Sequence, residues 1–191
     1  MGNKFIKALD VKKKDGKAET VVLRYLDIGY VKKMVKLEQD ILKNLQDGEA
    51  YSCSNQEDFE KNIKENISKV LGCLTEENEL VAMGIYSRYG YDEENYGYDL
   101  DIKGKDLLNV GQIESTLVKD EYRGNHLQKK ICQKLEEISK NDFIETMAAT
   151  VYPKNEYSLD NFKSLGYEIV KEKLKYGGYR RYILKKTLSD S

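Results

Sequence analysis

Apolar positions along this chain repeat at two spacings, and the changes between them outline its elements. Residues 5–9 and 21–26 are short β-type runs with Lys12-Lys13-Lys14-Asp15-Gly16 between them, and the Asp-Gly pair predicts a hairpin. Tyr30, Met34, Leu37, Ile41 and Leu45 then recur at helical spacing, which predicts a helix over 28–46 that stops at Asp47-Gly48. Phe59, Ile63 and Ile67 predict a second helix, with Ser54 or Asn55 as its cap. Residues 70–74 and 80–86 read as strands joined around Glu76-Glu77-Asn78, and 111–118 as a third. Leu127, Ile131, Leu135 and Ile138 share one helix face over 127–140, and a strand follows over 144–151.

The order is β-β-α-α-β-β-β-α-β-α-β-β, without an internal repeat or a low-complexity linker. It predicts an α/β (α+β) fold: a mixed central sheet with helices on both faces, in which strand 111–118, helix 127–140 and strand 144–151 form a parallel, right-handed unit.

Composition narrows the class. The 191 residues suit a single domain over 1–191. A formal net charge of −1 gives no electrostatic reason for a nucleic-acid partner. Cys53, Cys73 and Cys132 lack metal-like spacing, and with a single histidine they argue against zinc or any other metal and against a disulfide framework. A reducing cytoplasm fits this usage, and neither a signal peptide nor a bilayer-spanning run is expected.

The sharpest feature is the turn between strand 111–118 and helix 127–140, reading Val118-Lys119-Asp120-Glu121-Tyr122-Arg123-Gly124-Asn125-His126-Leu127-Gln128. A basic, glycine-containing turn that opens a helix presents unpaired N–H groups and the positive end of the helix dipole, and an anion satisfies both. Lys129 and Lys130 in the first helical turn suit a bound anion, or simply a solvated helix face.

This segment resembles the acyl-CoA signature of the GNAT superfamily of N-acetyltransferases. Arg123 and Gly124 match its Arg-Gly pair, while His126 stands at the first signature glycine and Gln128 at the small residue. Downstream, Asn155, Ser158, Gly166 and Tyr167 resemble the family's Asn…Ser…Gly-(Phe/Tyr) stretch, and 176–184 its terminal hairpin. The match covers roughly Gly111 to Leu188; before that only element order agrees.

The resemblance implies a fold whose two parallel strands splay apart to admit a pantetheine arm. It implies acetyl-CoA as co-substrate, contacted by Leu117, Val118, Arg123, Gly124, Asn125, His126, Leu127, Gln128 and Asn155. It implies acetyl transfer to a primary amine of a small molecule or peptide, with a second copy of the chain as a candidate partner and no membrane or nucleic acid. Glu114 is the best base candidate, on one pleat face with Gln112 and Thr116, although an outward strand glutamate in a salt bridge would look the same. Asn155 could instead cap a helix. The family's thiolate-protonating tyrosine falls at Phe162, and Tyr157 faces another way on a helix. A non-catalytic acyl-CoA-binding module therefore stands as the alternative, with an interaction domain behind it. The segment 86–101, rich in Tyr, Asp and Glu, reads either as an acceptor rim for a cationic amine or as a solvated hairpin.

Overall fold

Residues 4–43 and 55–188 are described by the computed structural model. Strand β1 (Phe5–Lys12) returns as β2 (Ala18–Leu26) through the expected Asp15-Gly16 turn, which the Lys13 N–H closes on the Lys17 carbonyl at 2.9 Å. The first helix starts as a 3-10 turn over Ile28–Tyr30, in which Asp27 accepts the Gly29 N–H at 2.9 Å, and continues as α1 (Val31–Leu42). Its predicted last turn, Leu45 and Asp47-Gly48 lie outside the described residues, as do Ser54 and Cys53. Helix α2 (Gln56–Lys64) is capped by Asn55, whose side chain accepts the Asp58 N–H at 2.8 Å.

There follow β3 (Ser68–Leu74), β4 (Leu80–Ser87), β5 (Val110–Val118), α3 (Leu127–Lys140), β6 (Thr146–Val151), α4 (Glu156–Ser164), β7 (Glu168–Lys175) and β8 (Tyr179–Thr187). The eight strands form one mixed sheet in the order β1-β2-β3-β4-β5-β6-β8-β7. Among the described residues, no helix is long and apolar enough to cross a membrane.

The chain packs as two compact units: 4–43, 55–85 and 115–132 in one, 86–114 and 133–188 in the other. In the first, β2 pairs antiparallel with β1 and β3, and Val21, Leu23, Met34, Leu37, Leu71 and Ile131 are buried. In the second, β6 runs beside β5, as the β-α-β pattern requires, and β8 runs antiparallel to both β6 and β7. Gly111 permits close packing there, because a Cβ would meet the Tyr86 ring at 2.6 Å and the Met147 sulfur at 3.1 Å. The parallel ladder runs only from Val110↔Thr146 to Ile113↔Ala149, although both strands continue. The two strands thus part after Ile113 and Ala149, as the resemblance implies.

Candidate functional site

The turn after β5 is braced from within the first unit. A 3-10 turn over Asp120–Tyr122 leads into it, and the Tyr122 hydroxyl donates to Glu19 at 2.9 Å while Lys13 Nζ lies 4.9 Å from the Tyr122 ring centre. Lys14 donates its backbone N–H to the Glu121 carbonyl at 3.0 Å and its ammonium to Asp120 at 2.6 Å. Asn125 does most of the tying. Its Oδ1 accepts the Lys12 N–H at 2.8 Å, and its Nδ2 donates to the Lys12 carbonyl at 2.9 Å and to the Tyr122 carbonyl at 2.8 Å. The amide thus pairs with Lys12 as a neighbouring strand would.

These contacts sort the predicted anion donors. The Arg123 N–H is spent on the Asp120 carbonyl at 3.2 Å, and its guanidinium lies 3.2 Å from the Asp120 carboxylate. Gly124 has φ +88, and a Cβ there would meet nothing within 4 Å, so the need for glycine is torsional rather than steric. His126, exposed, holds the left-handed φ of 57. That conformation explains the family's glycine at this position, and here an ordinary side chain carries its cost. Leu117 and Leu127 are buried, Gln128 donates to Thr116 Oγ1 at 3.0 Å, and Lys130 donates to the Asn125 carbonyl at 2.9 Å. The N–H groups at the start of α3 have no acceptor within the helix. A backbone cradle of this kind fits a phosphate ester.

The second unit holds a separate polar cluster, at the point where β5 and β6 part. Glu114, one residue beyond the last β5 residue paired with β6, accepts Gln112 Nε2 at 2.6 Å and the Ser87 hydroxyl at 2.8 Å. Burial pushes the Glu114 carboxyl above its ordinary range, and those two donors pull against that rise. Gln112 is itself fixed, accepting the Tyr96 N–H at 2.8 Å and donating to the Glu94 carbonyl at 3.2 Å. Tyr96 Oη lies 2.5 Å from Tyr176 Oη, which lies 3.1 Å from Thr150 Oγ1 on β6. Gln112 and Glu114 share a face as expected. The alternation does not extend to Thr116, because Ser115 takes a φ of 46 inside the strand and interrupts the two-residue repeat.

The remaining candidates are placed as follows. Asn155 caps α4, accepting the Ser158 N–H at 3.1 Å. Phe162 is buried edge-on against Tyr167, with ring centres 5.0 Å apart, and Tyr157 is 86 % exposed. In the 86–101 segment, Asp99 binds Lys173 and Lys175, and Asp101 binds Lys171, so those two acids are matched by β7. The Asp92 carboxylate accepts the Glu94 N–H at 3.0 Å. Among the described residues, no three His, Cys, Asp or Glu are grouped to hold a metal. Burial holds the Cys73 thiol at about 12, out of reach of thiolate chemistry. The sequence marks Tyr96 only as part of the 86–101 segment and Tyr176 only as the start of the 176–184 hairpin, with no individual role for either. The one local signal for Tyr176 is its place before Gly177-Gly178, and nothing local announces its contact with Thr150.

Comparison with known proteins decides the family. The family model described as the acetyltransferase (GNAT) family matches residues 34–167, more than half of the chain. The chain belongs to the GNAT family. It is an acyl-CoA-dependent acetyltransferase by that membership, and the mixed sheet is the GNAT fold. Among solved structures, it is similar to the ribosomal-protein-alanine N-acetyltransferase of Brucella melitensis: 16% identity, TM-score 0.65, covering 87% of this chain and 99% of that one. A GNAT-family acetyltransferase from Streptococcus pneumoniae aligns at 13% identity and TM-score 0.67, over 88% of this chain and 99% of the other. Salmonella typhimurium yncA, solved with acetyl-CoA, aligns at 12% identity and TM-score 0.65, over 90% and 95%. At these identities the likeness carries the fold alone. No curated protein matches the chain by sequence.

Proposed function

We propose that this GNAT protein, acting as one domain, transfers the acetyl group of acetyl-CoA to a primary amine of a small molecule or peptide. The carrying observation is Glu114, a half-buried carboxylate held by Gln112 and Ser87 where the parallel ladder of β5 and β6 ends. Glu114 takes the proton that the attacking nitrogen gives up, directly or through one water. Acetyl-CoA supplies an activated acyl group with a thiolate leaving group. The N–H groups from Gly124 to Gln128 hold its pyrophosphate, with Arg123 as a nearby cation and Leu117, Val118 and Asn155 toward the pantetheine. Asparagine at 125 and histidine at 126 serve through their backbone: the Asn125 amide is engaged with Lys12 and Tyr122, and His126 supplies the left-handed turn. The cytoplasm, where thiols stay reduced, is the proposed compartment.

One observation favours a binding module instead: Phe162, buried against Tyr167, stands at the family's usual proton donor. Calorimetry and thiol release separate the readings. Acetyl-CoA at about a hundred times its Kd should add roughly 2.7 kcal/mol to stability, and CoA thiol should appear over a panel of primary amines. Binding without any thiol release beyond the hydrolytic background selects the module; no heat of binding and no thermal shift rejects both.

A further inference from the structure

Asn125 sits between two left-handed residues. Gly124 has a φ of 88 and His126 a φ of 57, and the His126 carbonyl accepts the Lys130 N–H at 3.0 Å, so α3 begins directly after them. A histidine does not hold such a torsion by its own preference; it persists where surrounding contacts over-determine it. Here those contacts come from the β1–β2 hairpin, more than 100 residues earlier in the chain.

Strand β1 lies at the edge of the sheet, and Lys12 is its last residue. The Lys13 N–H bonds back to the Lys17 carbonyl, so the alternation of antiparallel pairing turns both main-chain groups of Lys12 away from β2. The Asn125 side chain meets both. Its oxygen accepts the Lys12 N–H at 2.8 Å, and its NH2 donates to the Lys12 carbonyl at 2.9 Å and to the Tyr122 carbonyl at 2.8 Å. The partners fix these roles, because a main-chain N–H only donates and a main-chain carbonyl only accepts. No other side chain of this length offers one acceptor and two donors: aspartate lacks the donors, and serine has a single one. The hairpin grips the same turn twice more, through the Lys14 N–H on the Glu121 carbonyl at 3.0 Å and through Glu19 of β2 on the Tyr122 hydroxyl at 2.9 Å.

We propose that Asn125 is a positioning residue for acetyl-CoA, and that its side-chain clamp on Lys12 makes the β1–β2 hairpin part of the phosphate-binding site. The inference rests on the cofactor site of the acetyl-transfer reading above. The N–H groups from Gly124 to Gln128 form a phosphate cradle only while Gly124 and His126 keep their left-handed torsions. The clamp holds the turn in that shape before the cofactor arrives, so little ordering is left for binding to accomplish. Without the clamp the fraction of molecules with a formed cradle falls, and the apparent Kd rises by the reciprocal of that fraction.

Calorimetry with CoA tests this on variants of the full chain shown by circular dichroism to be folded. Asn125→Ala should raise Kd about 10- to 100-fold, as for a cradle formed in a tenth to a hundredth of the molecules. Lys12→Pro removes the N–H that Asn125 accepts from 113 residues away, at the end of an edge strand where proline is tolerated, and should raise Kd by a similar factor. The double variant should bind no more weakly than the weaker single variant, because both changes break one clamp. On an amine that wild type acetylates, the loss should appear in KM for acetyl-CoA rather than in kcat. A second readout needs no variant and no acceptor: in wild type, hydrogen exchange at the Lys12 N–H should slow when CoA is added. An unchanged Kd in folded Asn125→Ala, additive losses in the double variant, or a Lys12 exchange rate that ignores bound CoA overturns the assignment alone. A wild-type chain that gives neither heat nor a thermal shift with CoA overturns it together with the acetyl-transfer reading.

Discussion

Replacing Glu114 with glutamine isolates basicity from shape. Glu114 accepts two hydrogen bonds, from Gln112 at 2.6 Å and Ser87 at 2.8 Å. A glutamine can aim its oxygen at Gln112 and its NH2 at Ser87, whose hydroxyl rotates to accept, so both contacts survive. The charge works in the same direction. Burial raises the folded-state pKa above the ordinary 4.5, so the folded chain binds this proton more tightly than the unfolded chain. That contribution to stability is complete below 4.5 and is lost as pH rises through the folded value, which makes ionised Glu114 a cost at neutral pH. Glu114→Gln should therefore unfold within about 1 kcal/mol of wild type at pH 7. Its kcat should nevertheless fall roughly 100- to 10,000-fold, about 2.7–5.4 kcal/mol of barrier, with the Kd for acetyl-CoA nearly unchanged. The assay is steady-state thiol release on a confirmed amine from pH 5 to 10, beside calorimetry and a urea melt. Wild-type rate should rise through the titration of Glu114; the variant should lose that limb and recover only as the free amine deprotonates in solution. A variant with full turnover and the wild-type acid limb would refute the assignment and make Glu114 structural.

Gly124→Val should weaken acetyl-CoA binding more than Lys130→Ala, because valine at φ +88 costs about 1–3 kcal/mol and distorts the cradle, whereas Lys130 supplies one partly screened bond to the Asn125 carbonyl; calorimetry on variants shown by circular dichroism to be folded checks the order. His126→Gly should raise stability by about 0.5–1 kcal/mol in a urea melt, since the left-handed φ of 57 costs histidine more than the added chain entropy costs glycine. Phe162→Ala should destabilise by about 3–5 kcal/mol, as expected for a buried ring packed on Tyr167, and a loss under 1 kcal/mol would show that the ring is not core.

Periodicity and turn chemistry, both short-range, were enough to delimit much of this chain. Leu127, Ile131, Leu135 and Ile138 define α3 as Leu127–Lys140, the bounds the spacing predicts, because one helix face must be buried whatever lies opposite. The Asp15-Gly16 hairpin, a cap at Asn55 as one of two candidates and the glycine turn at Gly124 were equally legible, since each depends on neighbouring residues' own torsions and donors. Other features belong to tertiary structure alone. Side-chain parity along β5 breaks at Ser115, whose φ of 46 has no local signature in a run of strand formers. The Asn125 amide is committed to Lys12, 113 residues earlier, and Asp99 to lysines more than 70 residues later. The contact between Tyr96 and Tyr176 spans 80 residues, and it exists because strand register and a strained turn deliver both hydroxyls to one place. Local sequence sets what a residue can donate or accept; register and packing decide which partner it meets.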